Sequence, residues 1–443
     1  METLPTAGII AEVERLGPQL CALATAQRDV SLAQLETGVL DRMRAALPGL
    51  LQAVLQANQH GVQTPAAHWR QTCPQCGQRA RVARWRVRRL RTVCGPIQWE
   101  RPWYHCRRCH HGFSPVDATL GVAARRRLSA TLTNWVVEQG ATTSFAEAAA
   151  TLARLTGLEV SAETIRQTTE AVGTALETQA PTDAATVQRT QEAAGPVEPV
   201  PGQLVVETDG VMVRYLDGWH EVKAGLVAGV EQGALQAVSY IAARATAEAF
   251  GPRLLAEAAR RGALEEIGWT GPVTRRGLAI LPEVVVLGDG AHWIWDVAAD
   301  HFGTRTEIVD FYHATEHLWN AAHALYPDDA SAAQDWAQQR RHALRTAGAA
   351  PVLEAFRTAM APTDASATVL RTEHGYFRTN ATRMDYPAFH ARGFSIGSGA
   401  IESAAKHLVQ LRLKRPGARW AEAGAQAVLQ VRCHLASHRP LAA

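Results

Sequence analysis

Three acidic residues, Asp209, Asp289 and Glu402, stand where carboxylates could hold divalent metal ions. Asp209 lies inside an apolar run, where an ionised side chain is costly unless it meets a cation or several hydrogen-bond donors. Asp289 ends a second apolar run, and Glu402 follows a glycine-rich turn at the start of a predicted helix. Mg²⁺ is bound by few carboxylates and keeps waters for substrate phosphates to replace. The three acids therefore predict phosphoryl transfer in which metal ions activate the attacking oxygen and stabilise the leaving one.

Each acid also has an ordinary structural interpretation. An Asp-Gly pair is a strong hairpin signal, so Asp209 and Asp289 could each mark only a turn. A helical glutamate such as Glu402 could be merely solvated. For Asp209 the turn is the weaker alternative, because a second pair, Asp217-Gly218, makes a better hairpin with the strand-like residues behind it.

The elements around these acids predict an α/β protein with an RNase H-like core. Residues 203–215 read as a strand, a hairpin and a third strand follow, and then helix, strand, helix and strand continue to residue 316. Because helical crossovers precede the last two strands, these strands should run parallel to the first. Asp209 and Asp289 would then lie on neighbouring strands, at the edge where open α/β sheets bind ligands.

The segment 317–387 is predicted to be a helical insertion, after which residues 388–443 complete the core with the helix of Glu402. That helix also carries cations that could lie along a phosphate backbone. They are Lys406, Arg412, Lys414 and Arg415. Basic residues at a helix end also complement the helix dipole, and both roles stay open.

Four cysteines form two CxxC pairs that predict a structural zinc site. The pairs are Cys73/Cys76 and Cys106/Cys109, and the residues between them alternate and turn at Cys94 as a β-hairpin would. Two such knuckles on a hairpin are typical of a zinc ribbon, in which four thiolates bind one Zn²⁺. Three histidines near the second pair are possible substitute ligands: His105, His110 and His111.

The ribbon, predicted over residues 66–128, lies in a strongly basic segment. Fourteen arginines fall between Arg70 and Ala130, against only Glu100 and Asp117. Aromatic residues are interleaved with the arginines: Trp69, Trp85, Trp99, Trp103 and Tyr104. This composition favours a nucleic acid partner, although a solvated basic face is the alternative. The arginines that we expect to contact DNA are Arg84, Arg86, Arg88 and Arg89.

Helices are predicted on both sides of the ribbon. Residues 1–65 have the apolar spacing of amphipathic helices. Residues 129–176 resemble a helix-turn-helix, with one helix ending at Gly157 and a second beginning after Ser161 and carrying Arg166 toward DNA. Residues 177–202 are rich in Pro, Ala, Gly and polar residues without periodicity, and they predict a linker.

Composition sets the broad class of the protein. The chain has 443 residues, 47% of them hydrophobic and 20% charged, with a net charge of +3. Such a chain is expected to fold as several globular units. It contains no apolar run of membrane-spanning length and no signal-peptide pattern at its start, so we expect it in the cytoplasm.

Five motifs resemble the DDE transposases of the ISKra type of bacterial insertion sequence, which are related to Mutator-like transposases. The resemblance runs from about Cys73 to Cys433, most of the chain. Its motifs are the CPQCG knuckle, ETDG with Asp209, LGDGAHWIW with Asp289, DFYHATEHL with Asp310 and His313, and IGSGAIESAAKHLVQLRLKRPGARW with Glu402.

The resemblance implies that Asp209, Asp289 and Glu402 are the metal-binding triad, with two Mg²⁺ or Mn²⁺ ions per site. It implies that His313 helps to place the DNA or the attacking group. The implied activity is cleavage at the ends of an insertion sequence with water, followed by attack of the freed 3′-hydroxyl on target DNA. Double-stranded DNA would be the partner, the enzyme would be at least a dimer because two ends are joined, and it would associate with the bacterial nucleoid.

Two other functions stay open at this point. The chain could be a non-catalytic DNA-binding protein descended from such an enzyme, using only the ribbon and the helix-turn-helix. It could also be an RNase H-like nuclease that cuts DNA without strand transfer.

Overall fold

The computed structural model describes residues 6–25, 30–59, 70–190, 192–198, 200, 202–263, 283–359 and 365–441. Trp69, one of the aromatic residues of the basic segment, lies outside the described residues. The described chain is a mixed α/β protein that divides into two compact units, one ending at Thr168 and the other spanning Thr169–Leu441. None of its described helices combines the length and the apolar character needed to cross a bilayer.

The first unit joins helices to one antiparallel sheet. Its first helices are α1 (Ala7–Thr25) and α2 (Leu32–Gln59). The sheet has the order β1-β2-β3-β4, with strands β1 (Arg70–Thr72), β2 (Arg79–Thr92), β3 (Gly95–His105) and β4 (Gly112–Phe113). The long hairpin of β2 and β3 turns at Val93 and Cys94, as the alternation predicts. A small core that includes Leu90 and Trp99 lies at its turn end, and the CxxC pairs lie at the other end.

The remaining helices of the first unit confirm the predicted local signals. They are α3 (Pro115–Thr119), α4 (Ala130–Thr142), α5 (Phe145–Thr156) and the start of α6 (Ala162–Thr190). Ser144 and Glu147 form a reciprocal capping box at the start of α5, and Gly157 ends it at φ 73°. The hydroxyl of Ser161 accepts a hydrogen bond from the backbone N–H of Thr164 at 3.2 Å, which caps α6 as predicted.

The predicted linker at 177–202 is wrong for its first half, because α6 continues to Thr190. Pro181 lies inside the helix and suggested a break. Two weakly apolar positions, Ala184 and Val187, are buried against helix α7 (Ala247–Arg260), and Glu177 and Asp183 form ion pairs with arginines of α7. These contacts stabilise a helix that its own sequence predicts poorly.

The second unit is built on a five-stranded mixed sheet of order β7-β6-β5-β8-β9. Its strands are β5 (Gln203–Tyr215), β6 (Gly218–Glu231), β7 (Ala234–Ala243), β8 (Glu283–Gly288) and β9 (Arg305–Val309). The first three are antiparallel neighbours, and β8 and β9 run parallel to β5. Asp209 lies within β5 and the hairpin turns at Leu216 and Asp217, so the predicted strand and turn are both confirmed.

Helices cover the sheet on both faces near Asp209. On one face, Phe250 and Leu254 of α7 lie against Gly225, which is the cross-strand partner of Thr208. On the other face, the side chain of Glu207 reaches the helix that carries Glu402. Strand β5 is buried throughout Leu204–Thr208 and only at alternate residues after Gly210. Asp209 therefore lies where the cover on one face ends.

The other helices of the second unit follow β8 and β9. They are α8 (His292–His301), α9 (Phe311–Leu325), α10 (Ala330–Ala347), α11 (Ala349–Ala359), α12 (Ala365–Thr379), a 3-10 turn (Ala381–Arg383) and α13 (Tyr386–Ala391). The last helices are α14 (Gly399–Ala404), a π-helix (Ala405–Gln410), α15 (Leu411–Leu413) and α16 (Glu422–Ala436). The described part of segment 317–387 contains helices and no strand.

Candidate functional site

Three carboxylates of the second unit lie where the parallel pairing of β5, β8 and β9 ends. Glu207 of β5 pairs with Leu287 of β8, and Asp209 and Asp289 each follow that pair by two residues. Gly288 pairs with Val309 of β9, and Asp310 is the next residue. The register of parallel strands therefore brings Asp209, Asp289 and Asp310 to the same edge of the sheet.

Asp209 is half-buried, and its surroundings disfavour the ionised form. Its pKa is raised to about 6, mainly by burial and then by the charges of Asp289 and Glu402, while the hydrogen bond from Gly210 and the charge of His313 oppose the rise. The Gly210 N–H donates to Oδ1 at 2.7 Å. Because these charges act over short distances, Asp209, Asp289, Glu402 and His313 belong to one electrostatic neighbourhood.

Asp289 is held at the turn between β8 and α8. Its Oδ1 accepts a hydrogen bond from the Ala291 N–H at 2.8 Å, and its backbone carbonyl accepts one from the Tyr376 hydroxyl at 2.8 Å. Gly290 has a φ of +104°, and a Cβ at that position would lie 2.6 Å from the Tyr376 ring. The Asp-Gly pair thus makes a turn whose glycine is required by both conformation and space.

Glu402 lies on the first turn of α14, which is anchored by two buried carboxylates. Glu207 accepts a hydrogen bond from the Ile401 N–H at 2.9 Å, and Asp310 accepts one from the Ser398 N–H. Both acids thereby satisfy backbone donors at a helix start, which otherwise lack partners. Glu402 itself is exposed and accepts a hydrogen bond from the Ser398 hydroxyl at 3.3 Å.

Glu207 belongs to the site although it was not among the residues predicted from the sequence. Only 2% of it is exposed, and burial raises its pKa to about 7, helped by the charges of Asp310 and Glu402 and opposed by the bond from Ile401. An available signal was its place two residues before Asp209, which puts both acids on the same face of a strand. Asp310 is fully buried and also accepts a hydrogen bond from the His313 N–H at 2.5 Å, so it caps α9.

A cluster of aromatic and histidine side chains joins α9 to α12 beside Asp289. The His317 ring stacks on the Tyr376 ring at 3.7 Å, and its Nδ1 lies 2.5 Å from Oε2 of the buried Glu373. The His313 ring lies 5.0 Å from that of His317. Burial, with the charge of Asp289 next, raises the pKa of Tyr376 well above its usual range, so its hydroxyl remains a donor.

The positions of the three predicted metal ligands differ from the prediction in one respect. Among the described residues, the four cysteines are the one group of His, Cys, Asp or Glu side chains whose ligand atoms are close enough to hold a single ion. The carboxylates of Asp209, Asp289 and Glu402 are neighbours but are not gathered around one point. Because Glu402 is exposed, its side chain is the most easily moved of the three.

The four cysteines of the first unit form the compact cluster that their spacing predicts. The ligand sulfurs of Cys73, Cys76, Cys106 and Cys109 all lie within 4.8 Å of one another, so the cluster could hold a metal ion. The two knuckles have matching turns, with Gly77 at φ 71° after the first pair and His110 at φ 58° after the second. His105, His110 and His111 are outside the cluster, and Cys94 lies in the hairpin turn.

The predicted DNA-contacting cations differ in their surroundings. Arg412 is 3% exposed with its guanidinium 4.8 Å above the Trp420 ring, so its predicted contact with a phosphate backbone is wrong in this arrangement. Arg86 lies 4.7 Å over the Trp103 ring, and Arg166 pairs with Glu163 at 2.7 Å. The exposed members of the set are Arg84, Arg89, Lys406 and Lys414, and Arg415 is half-buried.

Residues 40–247 match an uncharacterised protein family, UPF0236. The matched region contains the four clustered cysteines, the arginine-rich hairpin and Asp209, and it ends before Asp289 and Glu402. It covers less than half of the 443 residues. No curated protein matches the chain.

Proposed function

We propose that this protein is a DDE transposase that binds the ends of its insertion sequence and catalyses DNA strand cleavage and strand transfer. The observation that carries the proposal is the placement of Asp209 and Asp289 at the same level of neighbouring parallel strands. Glu402 is near enough for its charge to raise the pKa of Asp209. Acids grouped in this way at a sheet edge suit metal-dependent phosphoryl transfer.

The sheet also supports an RNase H-like core. Three antiparallel strands followed by two parallel strands, with the order β7-β6-β5-β8-β9, are the arrangement expected of that core. The arginine-rich hairpin supports a polyanionic partner such as double-stranded DNA. The four-cysteine cluster suits Zn²⁺, which prefers four thiolates in structural sites.

The donor set at the strand ends fits Mg²⁺ or Mn²⁺. Carboxylate oxygens are the ligands that Mg²⁺ prefers, and a cation would favour the ionised form of Asp209, whose pKa is raised by burial and then by the charges of Asp289 and Glu402. Asp209, Asp289 and Glu402 would hold the metal, which supplies activation of the attacking oxygen and stabilisation of the leaving oxygen. Sharing an ion requires the exposed Glu402 side chain to turn toward the strand ends.

The protein's own groups have separate tasks in this proposal. Glu207 and Asp310 hold the start of α14 so that Glu402 stays beside the strand ends. The backbone N–H of His313 is bound by Asp310 at the start of α9. The charge of His313 lowers the pKa of Asp209, and the His313 ring could donate to a phosphate oxygen of bound DNA. As in the resemblance, two DNA ends would require at least two copies of the chain in the bacterial cytoplasm.

The decisive experiment is strand cleavage by Asp289→Asn. The substrate is a labelled duplex carrying the end of the DNA element that encodes the protein, with Mg²⁺ or Mn²⁺. We expect nicking by the wild-type protein and its loss in the variant, because the amide is a poor metal ligand. Asp296→Asn, an exposed position on α8, is the matched control and should nick normally. Normal nicking by Asp289→Asn would remove Asp289 from the site.

A non-catalytic DNA-binding protein is the second candidate function. It is favoured by the observation that the three carboxylates are not gathered around one point. Tight binding of element ends without nicking in either metal would support it over the transposase. Adding target DNA separates the remaining alternative, because a nuclease would cut but yield no joined product.

A further inference from the structure

A groove of about 870 Å³ in the first unit is lined by six arginines from two separate stretches of chain. We call it the arginine groove. Its arginines are Arg88, Arg89 and Arg91 on β2, and Arg125, Arg126 and Arg127 in the segment before α4. It lies at the turn end of the hairpin, away from the cysteine cluster.

Backbone and side-chain hydrogen bonds hold the two stretches side by side. The Arg91 N–H donates to the Arg127 carbonyl at 2.9 Å, and the Ser129 N–H donates to the Arg91 carbonyl at 2.8 Å. The Arg88 guanidinium donates to the carbonyls of Ala123 at 3.1 Å and Arg126 at 2.5 Å. The groove is therefore a fixed structure, and Arg88 is one of the groups that builds it.

The described acidic side chains do not neutralise the positive charge of the groove. Among the residues that the structure describes, no ion pair joins any of the six arginines to an acidic side chain. Asp117, the nearest acid in sequence to Arg125, is occupied by Arg101 at 2.5 Å in a buried pair. Six like charges in one groove repel one another, and an anion that bridges them relieves that repulsion.

The lining indicates which polyanion fits. Guanidinium groups bind phosphate with two parallel hydrogen bonds, which favours a phosphate backbone over isolated carboxylates. The groove is lined by arginine, glutamine, leucine, isoleucine and proline, with no aromatic ring among its lining residues. Single strands are usually held by aromatic rings that stack on bases, so the lining favours a duplex read through its backbone.

We propose that the arginine groove binds the phosphate backbone of duplex DNA through Arg89, Arg125 and Arg127, which are exposed. Arg88 positions the segment that carries two of them. This inference rests on the proposed function for the identity of the polyanion. It keeps the expected contact at Arg89 and replaces Arg86 and Arg88, which are engaged inside the protein, with Arg125 and Arg127 from the segment before α4.

The test measures how salt weakens binding of the full-length protein to a duplex of arbitrary sequence in buffer without Mg²⁺. Each phosphate contact contributes about 0.9 to the slope of log affinity against log salt concentration. Arg89→Ala, Arg125→Ala and Arg127→Ala combined should lower that slope by about 2.7 and weaken binding on the order of a hundredfold at about 0.15 M salt.

The matched control removes three exposed arginines at the other end of the hairpin: Arg81→Ala, Arg107→Ala and Arg108→Ala. We expect its slope and affinity to stay near those of the wild-type protein. An equal loss in both triple variants would mean that net charge alone acts, and an unchanged groove variant would mean that DNA binds elsewhere; either result overturns the proposal. Equal metal content and circular dichroism of the variants exclude misfolding as the cause.

Two further comparisons keep the conclusions separate. A groove-dependent loss seen with a single strand of the same sequence but not with the duplex would overturn the duplex assignment. Groove-dependent binding without nicking would reject the transposase but keep the groove. Nicking at element ends by a protein whose duplex binding does not depend on the groove would keep the transposase and reject the groove.

Discussion

The buried carboxylate of Glu207 gives the sharpest test of how the site is built. Its pKa is raised from 4.5 to about 7, mainly by burial, so the folded protein holds the proton more tightly than the unfolded chain does. The free energy of unfolding therefore has its full contribution from protonated Glu207 below about pH 4.5, and that contribution is lost as the pH rises to about 7. At about 1.4 kcal/mol per pH unit, the ionised carboxylate costs the fold about 3 kcal/mol near pH 8.

Glu207→Gln removes this cost while keeping an oxygen that can accept the Ile401 N–H. The variant should match the wild-type protein near pH 4.5 and exceed its stability by about 3 kcal/mol near pH 8. A free energy of this size corresponds to about a hundredfold slower exchange of protected amides. Hydrogen–deuterium exchange of the peptide covering β5 measures it, because the ratio of the two rates at one pH cancels their intrinsic pH dependence.

Two further variants separate the effect of the Glu207 charge from that of the lost hydrogen-bond acceptor and from a general charge effect. Glu207→Ala removes the charge and also the acceptor, and a buried donor without a partner costs about 1–3 kcal/mol. It should therefore be less stable than Glu207→Gln at every pH. Asp335→Asn removes an exposed charge from α10 and should give a pH-independent ratio near one. Faster exchange in Glu207→Gln near pH 8, or a ratio that ignores pH, would refute the reasoning about Glu207.

Two other predictions concern the cysteine cluster and the cluster beside Asp289. Metal analysis of protein purified without chelator should find about one Zn²⁺ per chain, and Cys73→Ser should lose it together with the folded ribbon, because binding and folding of such sites are coupled. Cys94→Ser should keep the metal, since Cys94 is outside the cluster; a loss there would contradict the ligand set. Tyr376→Phe keeps the ring on His317 but removes the donor to the Asp289 carbonyl, a bond contributing about 1 kcal/mol. We expect several-fold slower nicking and a higher Mg²⁺ requirement with little change in thermal stability, whereas Tyr326→Phe should nick normally.

Much of the local structure was predictable because it depends on residues close together in the chain. The alternation of residues 203–215 defines β5, and the Asp217-Gly218 pair defines its hairpin. The spacing of the cysteines brings together two knuckles, and Ser144, Gly157 and Ser161 mark helix ends. Periodicity, turn conformation and helix capping each depend on a few neighbouring residues, so they can be predicted from the sequence alone.

Other features depended on segments distant in the chain and escaped prediction. Helix α6 extends through the first half of the expected linker, because α7 packs against it and forms ion pairs with it. Arg412 is a buried partner of Trp420 rather than an exposed cation. The basic hairpin predicted a polyanion partner, but only the pairing of β2 with residues 127–129 created a groove from two arginine runs.

For the acidic site, the sequence by itself determined which acids end or interrupt apolar strands, because an isolated carboxylate in such a run is recognisable from its neighbours. The tertiary structure alone decided that Glu207 and Asp310 are buried anchors of α14 while Asp209, Asp289 and Glu402 remain beside open solvent. The physical reason is that a carboxylate's role depends on its burial and on the donors around it. Those donors, the backbone N–H groups of Ser398 and Ile401, come from a helix far along the chain.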